Sequence, residues 1–496
     1  MQQQTQAPAA GESGRTLLSV IRSMNPRTRW KGNNGYSHIL RVCLPLVASN
    51  ISVSAMLFTD RLFLSHYSME SIAASLPAGV AFVTVSSFFQ GLIAYVSVFT
   101  AQYTGAGRPR RAAAALWQGI YLSLAAGFLI GLTWLTAPAM FRFGGHPPNV
   151  QALEVTYYRI LALPAAVNLV YFAMSSFLAG LGRTRMVMWV NLLGALINIP
   201  LTYCLVFGLE IGGLRLAPEW GLVGAAVATV FSWFVTTGVF CLLIFNRKME
   251  KSHGVFQAKA LDPRLIWRMM VYGSPGGLQR FMELAAFTFF AFIVGRLGEL
   301  YLAANNIIFS IESISFFPMI GVGATISILV GQSIGRGRPE EATEAVVSGI
   351  GISSLYVLMV AGLFLLFPET LLNIFLSDQY DPAAKEKILE LGTTILRFVV
   401  AYTVFDGLYL CCFGALSGAG DVWFPMAVMG LAGIFCLGLP IWLLFAFDQA
   451  TIYSLWAVFV FYVLVLTSSG AWRYRLGKWK SMRVIEKNAK SQGSAQ

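Results

Sequence analysis

Ala101-Gln-Tyr-Thr-Gly-Ala-Gly-Arg-Pro109 aligns without a gap on Gly331-Gln-Ser-Ile-Gly-Arg-Gly-Arg-Pro339, and five of the nine positions are identical. The same 230-residue offset pairs Pro45 with Pro275, Ala73-Ala74 with Ala303-Ala304, Gly91 with Gly321, Ala94 with Ala324 and Ser97 with Ser327. A second register, offset 238, pairs Arg159 with Arg397, Tyr171 with Tyr409, and Gly180 and Gly182 with Gly418 and Gly420. The chain is a tandem duplication, so its fold must be one unit built twice.

Hydrophobic residues make up 56% of the chain and charged residues 12%, about half the charge of a soluble protein. Twelve apolar spans are predicted, at 40–65, 72–100, 113–138, 156–179, 186–208, 222–246, 266–295, 302–331, 343–367, 390–416, 422–447 and 451–473. Each is long enough to cross a hydrocarbon core of ~30 Å. The net charge of +12 then reads as topology rather than nucleic-acid binding. Of the 35 Lys and Arg, 26 fall in the two tails and the even-to-odd loops, eight fall on the other side, and Arg280 sits inside span 7. The positive-inside rule places both termini in the cytoplasm of a multi-pass inner-membrane protein. The first 35 or so residues are polar, without the short apolar core of a signal peptide.

Six spans per half is an even number, so both halves begin on the same side. The fold expected is all-α, with twelve transmembrane helices in two parallel six-helix repeats around a central cleft. The divisions are a cytoplasmic tail over 1–36, a first bundle over 37–246, a cytoplasmic linker over 247–265, a second bundle over 266–475 and a basic tail over 476–496. The loop Glu369–Glu390 is expected to begin with a short interfacial segment. In the paired Gly-X-Gly-Arg-Pro loops, glycine permits a tight reversal and proline opens the next helix. A phosphate-cradling loop is the alternative, and no Gly-Lys-Ser/Thr accompanies it. The six cysteines lie in apolar spans, without metal-type spacing to the four histidines, so no metal or other cofactor is implied.

Ionisable side chains deep in a span cost about 2.5–3.5 kcal/mol each and are functional candidates by default. They are Asp60, Arg280, Glu283, Glu312 and Asp406. Their repeat counterparts are Phe290, Asn50, Val53, Phe82 and Asn168, so the halves share a scaffold but not their charges. Gln279, Arg280 and Glu283 share a face of span 7; Tyr402 and Asp406 share one on span 10; Asn305 and Glu312 lie seven apart on span 8. Two carboxylates and a phenol suit Na⁺, and a desolvated carboxylate can carry a proton instead. Arg280 can equally pair with Glu283 or Glu312 as a structural bridge, and Asp60 can be an interfacial residue beside Arg61. Asn191 and Asn198 on span 5 read equally as interhelical hydrogen-bond partners or as substrate contacts.

The ordered set Pro45…Asn50…Phe58-Thr-Asp60, Gln102-Tyr-Thr-Gly-Ala-Gly-Arg108, Gly180-Leu-Gly-Arg-Thr184, Asn191-Leu-Leu-Gly-Ala-Leu-Ile-Asn198, Pro218-Glu-Trp-Gly-Leu-Val-Gly-Ala-Ala226 and Pro275 followed by Glu283 resembles the multidrug and toxic compound extrusion (MATE) family. The likeness runs over about 40–475, and the span-7 Glu with an Asp on span 10 resembles the NorM-like branch. The resemblance implies that Glu283, Asp406 and Tyr402 form the coupling-cation site, with Na⁺ possible at Glu283 and Asp406. It places Asp60 on the span-1 acid that moves with coupling or release. Asn50, Asn168, Asn191, Gln279, Arg280, Asn305 and Glu312 are the cleft candidates. Arg280, Arg61 and Asn305-Asn306 depart from the family pattern.

The expected function is a Na⁺- or H⁺-coupled antiporter that exports amphipathic, cationic organic compounds by alternating access. It is not an enzyme, needs no cofactor, works as a monomer in the lipid bilayer and does not bind nucleic acid. The nearer alternative is a lipid-linked oligosaccharide flippase, with Arg61 and Arg280 as the only residues to hold pyrophosphate. An integral membrane transferase is the alternative of a different class, and it lacks a His/Asp or Asp/Asp set near a membrane face.

Overall fold

The computed structural model describes residues 34–486 together with Trp30 and Gly32, apart from residues 212–213 and 377–380. Most of the tail expected over 1–36, and residues 487–496 of the basic tail, lie outside the described residues. The first half holds α1 (Tyr36–Tyr67), α2 (Met69–Gly105), α3 (Pro109–Arg142), α4 (Pro148–Ala162 and Ala165–Gly180), α5 (Thr184–Phe207) and α6 (Gly221–Ile244). The second holds α7 (Pro263–Gly295), α8 (Glu299–Arg336), α9 (Pro339–Leu366), α10 (Pro382–Ala419), α11 (Trp423–Ala446) and α12 (Ile452–Arg475). Eleven helices qualify as membrane spans, and the two pieces of α4, bent 48° beside Pro164, make up to twelve. The expected all-α, polytopic architecture is therefore present. A hairpin of β1 (Leu209–Ile211) and β2 (Leu214–Ala217) joins α5 to α6. The helix Pro368–Phe375 stands where a short interfacial segment was expected.

Local chemistry sets the helix ends. Proline opens α3, α7, α9 and α10, where its missing N–H has no helical partner to lose. Ser68, Asp262 and Thr451 cap the N-termini of α2, α7 and α12 by accepting backbone N–H groups. Gly107 and Gly337 in the repeated loops take φ of +66° and +77°, the left-handed turn that glycine allows without strain. Proline also occurs inside α1 and α7, at Pro45 and Pro275, where neighbouring helices surround the broken turn.

Helices pack mainly within their own half: α1 on α5, α3 on α4, and α8, α9 and α12 on α10. One apolar core gathers residues of the first half, including Phe99, Tyr158, Phe177 and Phe240. A second gathers an aromatic group of Phe290, Tyr402, Trp456 and Phe459 in the other half. Between the halves, α2 lies against α7 and α8, and α1 lies against α8. Asn34 bonds the Glu341 carbonyl at 2.9 Å, and Glu486 lies 3.6 Å from Arg108. Both described ends of the chain therefore meet the loops α2–α3 and α8–α9 on one face, called here the terminal face.

Candidate functional site

The second half brings its acids together from three helices. Glu283 on α7 is half-buried, Glu312 on α8 is 5% exposed, and Asp406 on α10 is half-buried. Tyr402 is 3% exposed and lies close enough to Glu312 and Asp406 for electrostatic contact, as Tyr409 does to Glu283 and Asp406. Gln279 Nε2 donates to Tyr409 Oη at 3.0 Å and ties α7 to α10. Asp406 Oδ2 is buried without a hydrogen-bond partner, so it is free to take a ligand or a proton, while the Tyr402 hydroxyl lies within reach of Glu312. Both amide atoms of Asn305 are also buried and unpartnered. Among the described residues, no three His, Cys, Asp or Glu side chains converge as a metal group, so tyrosine or backbone oxygens would have to complete any Na⁺ shell. Arg280 is exposed, and no ion pair joins it to Glu283 or Glu312 among the described residues. Its charge still lies close enough to Glu283 to act on it, so what is absent is a direct ion pair.

The first half places one acid in a different setting. Asp60 on α1 is 5% exposed and accepts hydrogen bonds from Thr202 of α5 at 2.9 Å and Thr229 of α6 at 3.1 Å. Arg61 is exposed and makes no ion pair with it among the described residues. Asp60 is thus an interior residue, not an interfacial one. Asn198, one helical turn before Thr202, has both amide atoms buried and unpartnered. Asn191 accepts from Tyr171 Oη at 2.7 Å and donates to Ser49, so it links α4, α5 and α1 rather than lying free. Gln90 donates to Asn168 at 3.4 Å, and Asn50 is half-buried on α1. Thr202 and Thr229 are residues that sequence reasoning missed. The available signal was Asn198, which shares a helix face with Thr202 at i, i+4.

Where the halves meet, the repeated motif forms a reciprocal lock. Gln102 Nε2 donates to the Gly418 carbonyl at 2.9 Å, and Gln332 Nε2 donates to the Gly180 carbonyl at 3.0 Å. The two glutamines are repeat counterparts, and so are the two glycines. Gly105 abuts the Gln332 backbone and Gly335 abuts the Gln102 backbone, where any Cβ would overlap main-chain atoms. Deeper in the membrane, a Cβ on Gly91 would lie 2.7 Å from Gly277 Cα. Gly91 precedes the Gly105 end of α2 by roughly 21 Å of helix. The bonds of Asn34 to Ser333 and Glu341, of Gln102 to Gly418 and of Gln332 to Gly180, which join the two halves, all lie on this terminal side. The halves are thus tied on the terminal face.

The arrangement has known counterparts. The MatE family model matches residues 45–204 and again 275–443, and the two matches start 275 − 45 = 230 residues apart, the offset of the duplication. The probable multidrug resistance protein NorM of Pseudomonas aeruginosa is 29% identical over 466 residues, covering 92% of each chain. Its namesake from Pseudomonas putida is 30% identical over 421 residues, covering 82% of this chain and 87% of the relative. Among solved structures, a MOP superfamily transporter from Pyrococcus furiosus superposes with a TM-score of 0.81 at 20% identity, over 92% of this chain and 99% of the other. An outward-facing multidrug resistance MATE family transporter gives the same score and coverage at 19% identity. The chain belongs to the MatE family, in its NorM-like branch, and is a multi-pass membrane transporter rather than an enzyme.

Proposed function

We propose that the chain is a NorM-type efflux transporter, a cation-coupled antiporter that exports amphipathic, cationic organic compounds by alternating access. The observation that carries this reading is the asymmetry of buried acid between two halves of one scaffold. Glu283, Glu312 and Asp406 gather with Tyr402 and Tyr409 in the second half, whereas the buried acids of the first half stand apart, Asp60 on threonine hydroxyls and Glu154 on His146 in the first piece of α4. Desolvated carboxylates bind a cation strongly and lose their negative potential when they do. A cationic substrate that draws on that potential is then released, and reciprocity makes substrate and coupling ion exchange. The relatives named above are multidrug resistance proteins, which favours small organic compounds over a lipid-linked sugar. For the flippase, Arg61 and Arg280 lie on different halves of the scaffold and form no common pair.

The ion is Na⁺ or H⁺. Asp60 favours protons at its own site, because threonine hydroxyls donate to a carboxylate and can turn to accept from the acid. With the terminal face in the cytoplasm of the inner (plasma) membrane, as the positive charge indicates, the Gln102–Gly418 and Gln332–Gly180 bonds between the halves lie on the inner side. The bodies that rock are residues 37–246 and 266–475, in a monomer. An inward-moving charge gains about 2.3 kcal/mol per 100 mV, enough to drive substrate out. The test is efflux from proteoliposomes under separately imposed Na⁺ and proton gradients. Drug movement that answers to neither gradient would overturn the coupling.

A further inference from the structure

After α12 the chain turns at Gly477 and crosses the terminal face as a strap. Trp479 is 1% exposed, stacks on Tyr474 at 5.2 Å and joins a core cluster with Ile39, Val322 and Ala415. Five residues on, Val484 and Ile485 are 0% and 5% exposed and join the cluster that runs from the first-half core to Leu265, Met269 and Val422 of the second half. Two buried anchors thus hold one short segment across the seam. Val484 N–H donates to Gln102 Oε1 at 2.9 Å, while Arg268 of α7 donates to the Val484 carbonyl. Glu486 pairs with Arg268 at 2.7 Å, lies 3.6 Å from Arg108 and accepts from Tyr103 Oη at 3.1 Å.

Gln102 is the joint of this arrangement. It is 0% exposed, its amide nitrogen is spent on Gly418, and its amide oxygen is spent on the strap. That pattern fixes the amide orientation, since a flipped amide would point N–H at N–H and oxygen at oxygen. Gln332, its counterpart, bonds Gly180 but meets no strap N–H among the described residues. The corresponding stretch after α6 stays on its own half. Trp117 donates to the Val255 carbonyl at 2.7 Å and Gln118 to the Ala260 carbonyl at 3.0 Å, both from α3. Among the described residues, the strap bonds the Gln102 lock and not the Gln332 lock.

Parting of the halves at the terminal face must draw Gln102 away from Gly418. The strap then either loses the Gln102 bond or exposes Val484, and each costs free energy. We propose that residues 478–486 act as a latch on the Gln102–Gly418 lock, holding the transporter closed at its terminal face until the strap lets go. The latch rests on the alternating-access reading above.

The experiment uses the full chain in lipid nanodiscs, with its native cysteines replaced and spin labels at Arg185→Cys and Glu340→Cys, one on each half of the terminal face. Ending the chain after Ser481 should raise the long-distance population about tenfold, the factor that lost hydrogen bonds and an ion pair carry. Glu486→Arg should raise it too, and adding Arg268→Glu should bring it back down, which a general folding defect would not do. Unchanged distances in the shortened chain, or in Glu486→Arg should the shortened chain fail to fold, would overturn the latch. The double variant Gln102→Ala with Gln332→Ala separates the two ideas. If it opens the face and the strap variants do not, only the latch is wrong. If neither opens it at any Na⁺ concentration or pH, alternating access itself is wrong.

Discussion

Thr202 donates its hydroxyl to Asp60 Oδ1 at 2.9 Å, joining α5 to α1 inside the first half. Thr229 completes the pair at 3.1 Å, so both carboxylate oxygens are held by groups that tolerate either protonation state. Arg61, the adjacent residue, faces away and is exposed. Asp60→Asn should therefore express and fold but lose export. The double change Asp60→Asn with Arg61→Gln should not restore it, because the arginine has no ion pair to lose. Export from inverted vesicles is the measurement, and recovery in the double variant would return Asp60 to a structural role.

Much of the architecture was legible because duplication and hydropathy act over whole helices. The eleven spans, twelve with the bent pair of α4, follow from hydropathy that a bilayer enforces, and the 230-residue offset and the glycine turns at Gly107 and Gly337 follow from the repeated motif. The short-range chemistry was not. Arg280 lies on the Glu283 face of α7 by spacing, yet its long side chain is exposed rather than bridged. Spacing fixes which residues share a face but not whether a flexible guanidinium turns inward. The glutamines of the repeated motif read as part of a turn, and their partners Gly418 and Gly180 lie on the other half. No local pattern signals a contact made across a pseudo-symmetry axis.

The close approach of α2 and α7 makes a size-based test. Gly91→Ala would set its Cβ 2.7 Å from Gly277 Cα and 2.9 Å from the Gly276 carbonyl, so the helices must part. Overpacking of this kind costs about 1–3 kcal/mol. Gly79→Ala, on the same helix, meets nothing within 4 Å and serves as the control. Thermal unfolding in detergent should shift down for Gly91→Ala alone, and the terminal face should become more reactive to thiol reagents. Equal behaviour of the two variants would show that the glycine contact does not hold the halves together.

The linker carries a pH response. His253 ends the short helix Arg247–His253, and its ring stands edge-on to Phe177 at 6.5 Å. Partial burial, aided by the Arg183 charge, lowers its pKa below the ordinary 6.5. The folded state thus binds its proton less readily than the unfolded chain does. Its contribution is fully present above about pH 6.5 and is lost as pH falls from there through the folded value. For a half-exposed group the effect is small, about 1 °C in melting temperature between pH 7.5 and 5.5. Hydrogen exchange across residues 247–262, corrected for intrinsic rate, should rise over that interval, and His253→Gln should flatten the rise. A rise of equal size in the variant would assign the response to other groups.

The proposed coupling site gives the sharpest prediction. Asp406 has a buried, unpartnered oxygen and shares its pocket with Glu312, Glu283 and Tyr402. Replacing Asp406 or Glu283 by its amide removes a negative ligand that either cation needs, while the aromatic walls that give a substrate its buried area remain. Gradient-driven efflux should fall to background, with substrate binding weakened less than tenfold. On the proposal that both carboxylates act on one ion, the double variant Glu283→Gln with Asp406→Asn should be little worse than either single one. Glu312→Gln should behave in the same way if all three acids share the charge, and should retain part of the coupling if Glu312 only supports Tyr402. The exposed position of Arg280 means that Glu283→Gln leaves no buried cation unpaired, so the folded yield of that variant should match the parent protein. Gel filtration checks the yield, and efflux from liposomes under each gradient checks the coupling. Near-normal driven transport by folded Asp406→Asn would remove the second half as the cation site.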